Sequence, residues 1–250
     1  MNINREHSVF NGSKTARLSK NSFKSTKKGF HTHVKSAKII GPHSLEVLSV
    51  IVGSLLGSSI IRRSVEGTRL CFRQSVINKE YLFWLYNFFY SRGYCSNLEP
   101  RMYTRKLKKS GGGEHLLVKN YYGYEFNTFT FRSFNWIYEM FYKKGKKVIS
   151  SNIGQYITPL ALAVMIMDDG GWANPGVIIS TNSFSLEEVQ ILSNILRNKF
   201  NLDCTVKKIG MIDKYSIYIK GSSVPTLRKW VLAHIHYSMH YKLGYKFKRI

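Results

Sequence analysis

The sequence predicts an α+β fold of two similar halves, with helices gathered on one face of antiparallel sheets. Three observations predict it. Two apolar segments of helical spacing, residues 48–60 (LSVIVGSLLGSSI) and 160–172 (LALAVMIMDDGGW), share a pattern. The same order of strand and helix signals follows each of them. The strand segments are short, rich in β-branched and aromatic residues, and bounded by Gly, Asn and Asp.

The first half opens at Pro42 and His43, with Ser44 placed to cap the first apolar helix. Gly53 and Gly57, four residues apart, would let a second helix approach closely, an argument that rests only on side-chain size. IIRRSVEGTRLCFRQS then reads as two strands around a Glu66–Gly67 turn. From Asn78, NKEYLFWLYNFFYSRG is helical, with Leu82, Leu85, Phe88 and Phe89 on its apolar face and Gly93 as its stop. Residues 101–109 form a strongly basic strand. The glycines at 111–113 make a flexible turn and lack the Lys-Ser/Thr of a phosphate loop. HLLVKNYYGYEF and TFTFRS read as further strands, residues 133–143 as a helix, and KKGKK follows.

In the second half, the apolar helix ends at Gly170 and GVIISTN is a strand. Ser185 and Glu188 form a capping box that opens the helix SLEEVQILSNILRNKF. CTVKKIG and KYSIYIKG pair around Asp213, and residues 224–234 make the last helix. The chain therefore divides into a basic N-terminal arm (1–40), a first half (41–150) and a second half (151–250) that ends in a basic tail.

Composition bounds the partners. With 250 residues and 44% hydrophobic content, the chain can build one large core or two small ones. Net charge is +24, from 38 Lys and Arg against 14 Asp and Glu, which points to a polyanion, nucleic acid first. The longest uncharged apolar run, residues 47–61, is too short to span a bilayer, so no membrane partner is expected. Cys71, Cys95 and Cys204 are odd in number and form no CxxC pair, which argues against a disulfide framework and against zinc. They read as packing residues.

Residues 1–38 carry nine Lys and Arg and one acid, Glu6, with few apolar residues. Such a segment cannot fold alone. A transit peptide and a solvated tail are alternatives. The charge favours an arm along nucleic acid that uses Arg17, Lys20, Lys24, Lys27 and Lys28.

The acids are unevenly placed. All four aspartates, Asp168, Asp169, Asp203 and Asp213, lie in the second half. Two acids at the C-terminal end of an apolar helix oppose the helix dipole and are costly to bury unless paired or bound to a cation. Such carboxylates suit Mg²⁺, which prefers oxygen ligands and retains several waters. When the two apolar segments are aligned, Ser58 falls opposite Asp169.

LAVMIMDDGG resembles the LAGLIDADG motif, and IVGSLLGSS resembles its partner copy. STNSFSLEEVQILSNILRNKF, KKVISSNIGQYITPLALAV and MHYKLG are similar to the single-chain mitochondrial endonucleases of the omega-intron type. The resemblance covers roughly residues 45–244. It implies a LAGLIDADG homing-endonuclease-like fold: a monomer with internal pseudo-twofold symmetry and antiparallel saddle sheets.

The resemblance further implies Mg²⁺ at Asp169 and no other cofactor, with Lys147 and Lys242 neutralising charge beside the metals. The partner acid would stand at Ser58, where a hydroxyl supplies no charge. Glu46 lies too far back on its helix to replace it, and Glu66 is a remote stand-in. The resemblance implies a saddle contacting nucleic acid through its strands and turns, for which the candidates are Arg62, Arg63, Arg69, Arg73, Arg105, Lys106, Lys108, Lys207, Lys208, Lys214 and Lys220. The tyrosine cluster Tyr121, Tyr122 and Tyr124 reads as packing.

The expected function is nucleic-acid binding with cleavage lost or impaired. Structured RNA is the favoured target: organellar ribosomal RNA, with the chain a ribosome component beside ribosomal proteins, or intron RNA, with the chain a maturase. The alternatives are an active Mg²⁺-dependent, intron-encoded, site-specific DNA endonuclease or nickase, and a DNA-binding protein without cleavage. The family resemblance points to the mitochondrion.

Overall fold

A computed structural model describes residues 42–108, 118–210 and 213–245. The basic arm with Arg17, Lys20, Lys24, Lys27 and Lys28, the glycines at 111–113 and the end of the C-terminal tail lie outside the described residues. The first elements are α1 (Leu45–Leu56), β1 (Ile60–Ser64), β2 (Gly67–Ser75), α2 (Lys79–Ser91), β3 (Arg101–Lys108), β4 (Val118–Asn127) and α3 (Asn135–Phe141). A short hairpin, β5 (Tyr142–Lys143) and β6 (Lys146–Lys147), leads through a 3-10 helix at Ser151–Tyr156 to α4 (Pro159–Asp169). The chain continues with β7 (Gly170–Ala173), β8 (Gly176–Ser180), α5 (Leu186–Phe200), β9 (Cys204–Lys208), β10 (Tyr215–Ile219) and α6 (Val224–Val231). It closes on 3-10 turns at Leu232–His234 and Tyr237–Leu243.

Two four-stranded antiparallel sheets repeat one topology, β1-β2-β4-β3 and β7-β8-β10-β9. Between them α1 packs on α4. Both helices are buried nearly all round, as apolar residues on every side require. Their starts are alike. Ser44 Oγ accepts from Val47 N and Thr158 Oγ1 from Ala161 N, each satisfying a donor that the helix leaves open. The Thr158 hydroxyl also donates to Ser49 Oγ at 2.7 Å, tying the two starts together. The small residues sit where the helices cross. A Cβ on Gly53 would meet the Ala161 carbonyl oxygen at 2.4 Å, and one on Gly57 would meet Asp168 Cβ at 2.5 Å.

One strand expectation is corrected. TFTFRS is not a strand: only Phe131 bridges Thr68, and a 3-10 turn begins at Arg132. Its aromatics serve a different purpose, since Phe131 and Phe134 are buried around His43, whose ring nitrogens bond Tyr94 and Ser133 at 2.8 and 2.9 Å. The glycines after Asp169 open β7, whose backbone pairs with β8. The segment at 237–243 is ordered as a 3-10 helix and carries Lys242.

The three thiols are buried and unpaired, and burial pushes Cys95 up to about 12. Among the described residues no helix is long and apolar enough to cross a membrane. The capping box of α5 forms as its sequence dictates, and Glu188 does more than cap. Its Oε2 accepts from Ser185 N at 2.8 Å and its Oε1 from Ile149 N at 3.2 Å, which fixes the segment just after Lys147. Ser185→Ala is expected to lower stability by about 1 kcal/mol, read from a urea midpoint.

Candidate nucleic-acid interface and cleavage centre

The C-terminal ends of α1 and α4 place Ser58 and Asp169 where the two sheets begin. Ser58 is exposed and Asp169 half-buried. Each end is held by one lysine. Lys147 Nζ donates to the carbonyls of Gly57 and Ser59 at 2.8 and 3.1 Å. Lys242 Nζ donates to the carbonyls of Met167 and Asp168. Cations at these positions complement the negative ends of the helix dipoles. Burial lowers both ammonium groups against the pull of the two aspartates, Lys147 to about 8. Burial raises Asp169, with Lys147 and Lys242 opposing.

Asp168 does not face solvent. It fills the space left open by Gly57 and is 8% exposed. Gln74 Nε2 donates to Asp168 Oδ1 at 3.0 Å and to Ser58 Oγ at 3.3 Å, and Asn78 holds Gln74 Oε1 at 3.1 Å. The Tyr81 hydroxyl is close enough to act on the Asp168 carboxylate. Neither that hydroxyl nor Asp168 Oδ2 completes a hydrogen bond of ordinary geometry. Gln74 and Tyr81 were missed in the sequence. The signal for Gln74 was a polar side chain at an inward position of the β2 alternation, after Leu70 and Phe72.

Burial first, then the charge on Asp169, pushes the Asp168 carboxyl up to about 7 from an ordinary 3.8. The fold favours its neutral form. The stability this gives is complete below the unfolded value and is lost as pH rises through about 7. Asp168→Asn is therefore expected to gain on the wild type between pH 4 and 7, by about a few kcal/mol, and to gain no more above 7. Urea midpoints at several pH values measure this.

The donor set fits a metal on one side only. Asp169 offers a carboxylate that could hold one Mg²⁺, with waters and substrate phosphate completing the shell. Ser58 offers a neutral oxygen already bonded by Gln74. Glu46 pairs with Arg92, and Glu66 is exposed in the β1–β2 turn. Among the described residues no group of three or more His, Cys, Asp or Glu is placed to hold a metal.

Each sheet packs one face on the helices and leaves the other open. On the first sheet, register puts Arg62 opposite Arg69, Arg73 opposite Glu125 and Arg105 opposite Tyr121, all on the open face. Arg101, also opposite Glu125, joins them and was not among the sequence candidates. Arg63 is corrected. It lies opposite buried Thr68 on the helix-bearing face, where it pairs with Glu139 at 2.8 Å. Lys106 has the same parity, opposite Asn120 and away from Arg105, and Lys108 closes β3.

On the second sheet, Lys207 lies on the open face, its ammonium 3.8 Å from the centre of the Tyr218 ring. Lys208 turns to the other face and pairs with Asp213, and Lys220 pairs with Asp203, both at 2.9 Å. Lys214 is exposed beside β10. The open cations thus gather on the first sheet.

Glu125 is the exception in this basic surface. Burial raises its carboxyl, but bonds from Arg101 and Arg73 outweigh this and hold it below the usual range.

Comparison with known proteins agrees with this architecture. The profile of the LAGLIDADG DNA endonuclease family matches residues 48–227. The chain is 48% identical over 163 residues to the intron-encoded endonuclease ai4 of Dictyostelium discoideum, covering 65% of this chain and 99% of that protein. It is 38% identical over 216 residues to the cytochrome b mRNA maturase bI2 of Debaryomyces hansenii, covering 84% and 79%. The homing endonuclease I-WcaI, solved bound to its DNA recognition sequence, superposes with a TM-score of 0.71 at 27% identity, covering 83% of this chain and 90% of that one. Two motif helices, two sheets of one topology and these matches agree: the chain belongs to the LAGLIDADG DNA endonuclease family.

Proposed function

We propose that this protein is an intron-encoded, mitochondrial nucleic-acid-binding protein that grips its target on the open sheet faces and has lost efficient double-strand cleavage. Ser58 carries this reading. It stands where the second acid belongs, while Lys147 and Lys242 still cap both helix ends. Without a second negative charge, one of the two strands lacks its metal clamp. Structured RNA is the target in the cell. Intron RNA, in a maturase role, has the support of the maturase relatives. Ribosomal RNA is the other RNA that so basic a chain would serve.

A second reading, a Mg²⁺-dependent site-specific nickase, is favoured by Asp169 lying between two lysines. Mg²⁺ there would supply Lewis acidity to one phosphate. Asp169 would hold the ion, and Lys147 and Lys242 would offset the charge gathered around it. Filter binding of the host intron RNA against duplex DNA across a salt series tests the RNA role. The proposal predicts tighter binding to the folded RNA at every salt concentration. Equal or tighter binding of the duplex DNA would defeat it.

A further inference from the structure

A buried acid on the open face of the first sheet has no part in the cleavage centre. Glu125 lies on β4, between Arg73 on β2 and Arg101 on β3, in a single row across three strands. Its side chain is 7% exposed, whereas those of Arg73 and Arg101 are 48% and 76% exposed. Its two oxygens are divided between the arginines. Oε2 takes Arg73 Nε at 2.5 Å, and Oε1 takes Arg101 Nε at 2.7 Å. Tyr103 gives Arg73 a second restraint, its ring centre 5.8 Å from the guanidinium carbon. That ring crosses bare Gly123, where a Cβ would meet the tyrosine oxygen at 2.7 Å.

A guanidinium has five donors in a fixed fork, so the bonds to Glu125 leave donors on each arginine for a ligand. The ion pairs remove the freedom of two long side chains. One carboxylate against two guanidinium groups still leaves the row positive. A flexible cation suffices for phosphate, but a forked cation held in place suits the paired acceptors O6 and N7 of guanine in the major groove, which admits a β-ribbon.

We infer that Arg73 and Arg101 read two guanines in one half of a duplex DNA target, and that Glu125 positions both. The inference goes beyond the RNA role and rests on the same open faces also taking duplex DNA as a second ligand. Flanking strands stand about 10 Å apart, or about three base-pair steps, so the two guanines lie within that spacing on either strand. The second sheet has no such row. At the matching register stand Ser180, the fully buried Ser216 and Lys207, so guanine dependence of this kind belongs to one half-site.

Selection of the full chain's ligands from a randomised duplex DNA library tests this. The wild type is expected to fix two G·C positions within about three base pairs in one half-site. Arg73→Lys and Arg101→Lys, which keep charge and lose the fork, are each expected to relax one position by about 5- to 150-fold. Binding to random DNA is expected to fall by much less than binding to the selected site, because the charge is kept. Glu125→Gln is expected to relax both positions together without weakening random binding. A merely structural role would lower binding to all sequences alike. A selected site whose guanines are indifferent to both lysine variants overturns the assignment and leaves duplex binding intact. A chain that retains folded RNA but no duplex DNA overturns the duplex interface, and the assignment with it.

Discussion

Ser58→Asp is expected to restore cutting of both strands, raising the Mg²⁺-dependent rate of linear product by about 100-fold or more. The restored group is one carboxylate in a two-metal clamp, an effect of about 3 kcal/mol on the barrier. The surroundings are ready for it. Ser58 is exposed, Gln74 Nε2 stands 3.3 Å from its hydroxyl, and Lys147 is anchored on the carbonyls to either side. The assay is plasmid linearisation at the sequence recovered by duplex selection. Ser58→Asn, which adds size without charge, should give no gain. Asp169→Ala in the Ser58→Asp background should remove the linear product.

Gly53→Val is expected to lower stability by about 4 kcal/mol or more, enough to unfold a marginal domain. Valine's higher helix propensity would return only a few tenths of a kcal/mol. The first added carbon alone would lie 2.4 Å from the Ala161 carbonyl oxygen and 2.8 Å from Val164 Cβ. Backbone cannot yield as a side-chain tip does, so α1 and α4 must separate. Gly154→Ala is the control, because its Cβ meets nothing nearer than the Ile195 side chain at 3.5 Å. A fall in the urea midpoint for the first variant and near-wild-type behaviour for the second would place the stability of the fold at this helix crossing.

Much of this was legible in the sequence, for local reasons. The two apolar helices announced themselves by composition, and Ser44 and the Ser185–Glu188 box by capping chemistry. Alternation gave β2 and β4. TFTFRS misled because aromatic alternation is the same whether the rings cover a sheet or plug a cluster around His43. β7 was hidden because paired glycines signal a turn, and only the long-range pairing with β8 makes them a strand.

The candidate site was legible at Asp169, Lys147 and Lys242 through motif resemblance. Gln74 and Tyr81 were not, since only the packing of α4 against Gly57 brings Asp168 to them. Charge alone could not sort the basic residues. Strand register sends Arg63 and Lys208 to the far faces and ranks Arg101 with Arg73.

Wild-type protein incubated with Mg²⁺ and supercoiled plasmid bearing the selected site gives the most direct reading of what the absent acid means. Nicked circles at most, with no linear DNA, are predicted. Rapid linearisation that disappears with Asp169→Ala would mean that a hydroxyl at residue 58 serves a cleavage centre as well as a carboxylate.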